Sequence, residues 1–142
     1  MNALPAGRAL AAVALLALSS AGFAQSADVD YGKAEYVNNC SGCHGPAGKG
    51  DGHFKQFLTM PPADLTTLAR RNGGVFPAEH IYQIIDGRKA VRGHGTGEMP
   101  IWGRDYQAQA RAMSRFGTVS EEAYVRNSIN LLVEYIYRLQ EQ

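Results

Sequence analysis

Two cysteines and a histidine stand together in the run Cys40-Ser41-Gly42-Cys43-His44, and no other cysteine occurs among the 142 residues. In a C-x-x-C-H string each thiol can add across a vinyl group of haem to form a thioether, and the two-residue gap matches the vinyl spacing. The adjacent histidine then sits under the iron and offers an imidazole nitrogen as axial ligand. Two other chemistries use paired cysteines. A zinc ribbon needs a second pair, which this chain lacks. A redox C-x-x-C does not need the histidine and belongs in a βαβ pattern, of which there is no trace here. The run therefore reads as the attachment site of one c-type haem, with Cys40 and Cys43 holding the macrocycle and His44 the iron.

An iron held by His44 alone would be open to small ligands, whereas a second strong-field side chain would close it and favour electron transfer. The candidates are Met60, Met99, Met113, His53, His80 and His94. Met99 lies in the glycine-rich stretch Gly93-His94-Gly95-Thr96-Gly97-Glu98-Met99-Pro100. Such a loop can reach across the distal haem face, and Pro100 would hold the backbone beside the sulfur. Met60 follows His44 by only 16 residues, half of them a glycine-rich loop. Met113 has helix-like neighbours and reads as a packing residue, and His53 and His80 as surface or hydrogen-bonding histidines. Met99 leads and His94 is its rival, since both His/Met and His/His pairs occur on c haems.

The elements that must position these groups are helical. Asp30 opens a first helix that runs through Lys33, Ala34, Tyr36 and Val37 to the cysteines. Four glycines between Gly45 and Gly52 make a loop able to fold closely around a flat ligand. Its Gly-Lys pair lacks the spacing and the Ser or Thr of a phosphate-binding loop. Asp64 caps a short helix, Leu65 to Arg71, which Gly73-Gly74 ends. Pro77 starts another, carrying Ile81, Ile84 and Ile85 and stopped by Gly87. Arg88 to Gly103 reads as loop, and Asp105 to Phe116 as either a short helix or an ordered insertion. For the last helix, Thr118 and Glu121 make a capping box with Ser120 as the alternative cap. Val125, Ile129, Leu132, Ile136 and Leu139 then form one apolar stripe. No strand-period run of useful length appears, so the expected fold class is all-α.

Residues 1–24 read as an export signal, with Arg8 before an apolar core from Ala9 to Leu18 and small residues leading to Ala24. That core is too short to span the roughly 30 Å hydrocarbon layer comfortably. Cleavage after Ala24 would leave 118 residues, one domain, with 13 basic and 13 acidic side chains. A balance so close to zero gives no support to nucleic-acid binding. A chain that small buries only about two thirds of its unfolded surface, so a large apolar cofactor would matter to its core. The expected location is the periplasm, with no membrane span after signal cleavage.

With these residues in place the chain resembles a class I c-type cytochrome over nearly all of Asp30 to Leu139. That family places C-x-x-C-H after one helix and a Met-Pro ligand loop before a C-terminal helix, matched here by Cys40 to His44 and by Met99-Pro100. It also crosses its first and last helices through a small-x-x-x-aromatic pair and a Leu-x-x-aromatic pair, matched by Gly32 and Tyr36 and by Leu132 and Tyr135. The resemblance implies crossing terminal helices, with shorter helices and loops wrapped around one covalently bound haem c. It implies that a proline-region carbonyl accepts a hydrogen bond from the proximal imidazole, which points to Pro61-Pro62 and puts Pro62 in the site, with Pro46 as an alternative. Trp102 is expected either to pack on the haem or bond a propionate, or simply to fill core. Arg104 to Gly117 looks like an insertion relative to the smallest members.

A haem ligated by His44 and Met99 changes charge by one electron with little rearrangement. The expected function is electron transfer in the periplasm, from a dehydrogenase or bc-type complex to a terminal oxidase or reductase, with no residue catalytic in the bond-making sense. Arg88, Lys89 and Arg92 could dock such redox partners, neutralise propionates or form a solvated face. The alternatives are a haem subunit held in a dehydrogenase complex, a gas-binding sensor with an open iron, and a peroxidase, for which only His94 and Glu98 could supply acid–base chemistry.

Overall fold

The computed structural model describes residues 29–87, 99–114 and 120–141. The expected export signal, the basic run Arg88 to Arg92, His94, Glu98 and Thr118, expected as a cap, lie outside the described residues. Among those described there are six α-helices, two short 3₁₀ turns and no strand, as an all-α chain requires. They are α1 (Tyr31–Asn39), α2 (Ser41–His44), α3 (Leu68–Arg71), α4 (Ala78–Asp86), α5 (Trp102–Ser114) and α6 (Glu121–Arg138). No helix among them is long and apolar enough to cross a membrane.

The first and last helices carry the frame. Asp30 caps α1 by accepting the Lys33 N–H at 3.0 Å, and α1 turns its Gly32 and Tyr36 face inward. On α6 the apolar stripe is buried at Val125, Ile129, Leu132 and Ile136, with Tyr135 beside it. Ser120 takes the N-cap position, its carbonyl accepting from the Tyr124 N–H at 3.0 Å. The two helices meet at Gly32, where a Cβ would lie 2.5 Å from the Leu131 carbonyl oxygen. Only a residue without a side chain permits that approach. The Tyr36 and Tyr135 rings then fill the crossing, 5.0 Å apart and tilted by 42°. An Arg138 guanidinium nitrogen donates to both Asp30 carboxylate oxygens, at 2.8 and 2.9 Å, across its outer end.

The middle elements line the space between. Asp64 caps the turn before α3 by accepting from the Thr66 N–H at 2.8 Å. Gly74 closes α3 with an N–H bond to the Ala69 carbonyl at 2.9 Å. Along α4, Ile81 and Ile85 are buried, and Gly87 ends it in the left-handed conformation. α5 corrects the reading of a loop as far as Gly103: Trp102 and Gly103 already form its first turn, and the ambiguous segment is helical through Ser114. Gly103, Tyr106 and Ala110 recur on one face and are its buried residues, so α5 packs as an amphipathic helix. Met113, expected as a packing residue, lies on its exposed side.

Candidate haem site

α1 stops at Cys40, whose N–H bonds the Tyr36 carbonyl at 2.8 Å, and α2 begins one residue later. That single turn gathers the chemistry. Cys40, Cys43 and His44 all line one cavity, and neither thiol is in a disulfide. Burial first, then the negative charge of Glu35, pushes the Cys40 thiol up to about 12. Among the described residues no group of His, Cys, Asp and Glu is arranged to hold a metal ion by itself.

The segment after His44 folds back over the motif. Gly50 N–H bonds the His44 carbonyl at 2.8 Å, Gly52 N–H the Cys43 carbonyl at 3.1 Å, and the Tyr36 hydroxyl donates to the Gly45 carbonyl at 2.7 Å. A Cβ on Gly52 would lie 2.3 Å from the Gly42 carbonyl oxygen, so the returning segment fits there only as glycine. His44 is buried, and its Nδ1 lies 2.9 Å from the Ala63 carbonyl oxygen. A carbonyl can only accept, so Nδ1 carries the proton and Nε2 is the basic nitrogen that can bind a metal. This bond corrects one expectation. The acceptor belongs to Ala63, not to Pro61, Pro62 or Pro46; Pro62 instead lines the cavity.

Met99 and His44 line the same two adjoining cavities, of about 470 and 850 Å³ of empty space open to solvent. Trp102, Pro62 and Pro100 join them in the first. Ile81, Ile84, Ile85, Leu65 and Leu68 make the second mostly apolar. Met60 also lines the first cavity but is largely exposed and absent from the second, so it does not share Met99's position. Two thiols one turn apart, a histidine whose Nδ1 is engaged by a carbonyl, a thioether lining the same apolar space: this donor set fits a covalently held haem. His80, read as a surface or hydrogen-bonding histidine, lines the second cavity, and Trp102 is half-buried, with its ring 6.5 Å from that of Tyr106.

Residues 27–116 match the family model described as cytochrome c oxidase, cbb3-type, subunit III. The chain belongs to that family of c-type cytochromes. Neither a curated protein nor a solved structure matches it. The family's chemistry is electron transfer by haem c. Among the contributors to the cleft that reading the chain missed are the Ala63 carbonyl, the α4 isoleucines as lining, and Asn39. The isoleucine spacing already marked an inward face, but an alanine carbonyl leaves no mark in a sequence.

Proposed function

We propose that this cytochrome is a periplasmic one-electron carrier. One haem c would be joined through Cys40 and Cys43 and ligated by His44 and Met99. Bound there, it supplies an iron that changes oxidation state without making or breaking a substrate bond. His44 would hold the iron through Nε2, with its Nδ1–H bond to Ala63 fixing the ring and raising the nitrogen's basicity. Met99 would close the other side with a neutral sulfur, which favours Fe(II) and raises the potential relative to a second imidazole. Trp102 and Pro62 would pack against the macrocycle and keep water from that edge. The observation that carries this reading is that His44 and Met99 share both cavities beside the two cysteines.

The donor would be a dehydrogenase or a bc-type complex, the acceptor a terminal oxidase or reductase, and an export signal over residues 1–24 would take the chain there. A second reading has one observation in its favour: the matching family is described as an oxidase subunit. Under it the chain is a haem-bearing subunit of a larger complex rather than a diffusible carrier. Visible spectra of the purified protein, oxidised and reduced, with and without carbon monoxide, test the ligand set. A low-spin spectrum indifferent to the gas is expected, and a high-spin spectrum that shifts with it would favour a sensor or enzyme. Gel filtration of a native-cell extract separates the two readings: a carrier elutes near its own mass, a subunit with its complex.

A further inference from the structure

One internal polar cluster adjoins the haem cleft without supplying an attachment cysteine or a proposed iron ligand. Glu35 and Asn39 stand one turn apart on α1, and α5 brings Tyr106 against both. Tyr106 is fully buried. Its hydroxyl donates to Glu35 Oε2 at 2.9 Å and accepts from Asn39 Nδ2 at 3.3 Å. Asn39 Nδ2 also donates to the same Oε2, at 2.9 Å. Two donors therefore converge on one carboxyl oxygen and fix its place. Burial first, and then Glu35, push the Tyr106 hydroxyl well above the usual phenol range, so it stays a donor.

The triangle lies beside the haem cleft by three separate measures. Asn39 lines the first cavity together with Cys40, Cys43, His44 and Met99. Trp102, one turn before Tyr106 on α5, lines it too. The charge of Glu35 also reaches the Cys40 thiol. A fixed negative charge in a partly buried place acts through a lower effective dielectric than water provides. Such a charge stabilises the ferric state, which carries one more positive charge than the ferrous.

We propose that Glu35 lowers the reduction potential of this haem site, and that Tyr106 and Asn39 are positioning residues that fix its carboxylate beside the cleft. The inference rests on the haem reading above. It also gives α5 a task. The helix that looked like an insertion supplies the buried hydroxyl that holds the charge in place.

Spectroelectrochemical titration of the haem-loaded full chain tests this, using wild type, Glu35→Gln, Tyr106→Phe, the double variant and the exposed control Glu122→Gln. At a fixed applied potential Glu35→Gln should raise the ferrous-to-ferric ratio about tenfold, which is 59 mV for one electron. Tyr106→Phe should move it the same way by less, because the carboxylate is released to solvent rather than removed. The double variant should match Glu35→Gln alone, since Tyr106 acts only through that charge. Glu122→Gln should leave the ratio unchanged, and all variants should keep the wild-type low-spin bands. A merely structural role would lower melting temperatures and leave the potentials where they were. An unchanged ratio in Glu35→Gln, or an equal shift in Glu122→Gln, overturns the proposal. Full additivity in the double variant overturns the positioning role. Should Glu35→Gln fail to accumulate, an unchanged potential in Tyr106→Phe overturns it instead. Absence of covalent haem from the wild type would sink the haem reading itself, an outcome visible before any titration.

Discussion

His44 and Met99 line the same cavities, yet the protein secures them by different means. His44 is buried, with its Nδ1 tied to the Ala63 carbonyl, its own carbonyl tied to Gly50, and the preceding residue's to Gly52. All three partners are backbone groups, and the last two bonds are independent of any side-chain rotamer. Met99 is half-buried and packs against the apolar core between α4 and α5. The two helix ends there come together by contact: a Cβ on Gly87 would lie 2.3 Å from Ile101 Cγ2, and one on Gly103 would lie 2.4 Å from Asp86 Oδ1. The difference teaches which ligand the fold treats as fixed. If both hold the iron as proposed, the histidine in its hydrogen-bonded frame would be the constant ligand and the methionine held by packing the exchangeable one.

Removal of the fixed side should have the largest effect. His44→Ala should yield almost no haem-bearing protein, as read by haem staining after expression with the maturation machinery. Next comes the crossing that delivers α1 to the motif. Gly32→Leu would press a side chain into the Leu131 backbone and should cost up to about 3 kcal/mol in denaturant unfolding. A variant as stable as wild type would mean that the helices do not approach as closely as described.

Tyr36→Phe sharpens the comparison, because its hydroxyl is buried and donates to the Gly45 carbonyl directly after the ligand. Loss of that bond should cost about 1–2 kcal/mol and leave the Met99 side undisturbed, so carbon monoxide should still be excluded.

The smallest effect belongs to Asp30. Its carboxyl is held below the ordinary 3.8 by the Lys33 N–H first and Arg138 second. A carboxyl depressed in the folded state stabilises it above the unfolded value, and that contribution is lost as pH falls through the folded one. Asp30→Asn keeps a capping side chain but removes the charge. It should therefore melt slightly below wild type at neutral pH, and the difference should shrink as pH falls through the lowered value of the folded carboxyl. A gap that did not change with pH would assign the loss to the cap and not to the charge.

Much of the frame could be read directly. Asp30 and Asp64 were recognisable as caps, Val125 to Ile136 as a stripe, and Gly32 with Tyr36 as one half of a crossing. Each of these is a local pattern with its own physical cause. The attachment run was plainer still, because two thiols and an imidazole so spaced have few uses. What escaped was non-local or carried by backbone. Any residue could have supplied the carbonyl that Ala63 gives to His44, so the nearby prolines drew the reading one step short. α5 was obscured because Gly103 and Pro100 suggest a loop, whereas Gly103 is there for close approach to Asp86. The Glu35–Tyr106 bond joins positions 71 residues apart, beyond any periodicity in the chain.

The most direct test of the two-sided account is carbon monoxide binding to reduced Met99→Ala beside reduced wild type. The account predicts that the variant keeps its covalent haem and its histidine ligation, binds the gas rapidly and has a lowered potential, while wild type does not respond. A variant that still refused the gas at an unchanged potential would mean that another side chain closes the iron, and Met99 would lose its place opposite His44.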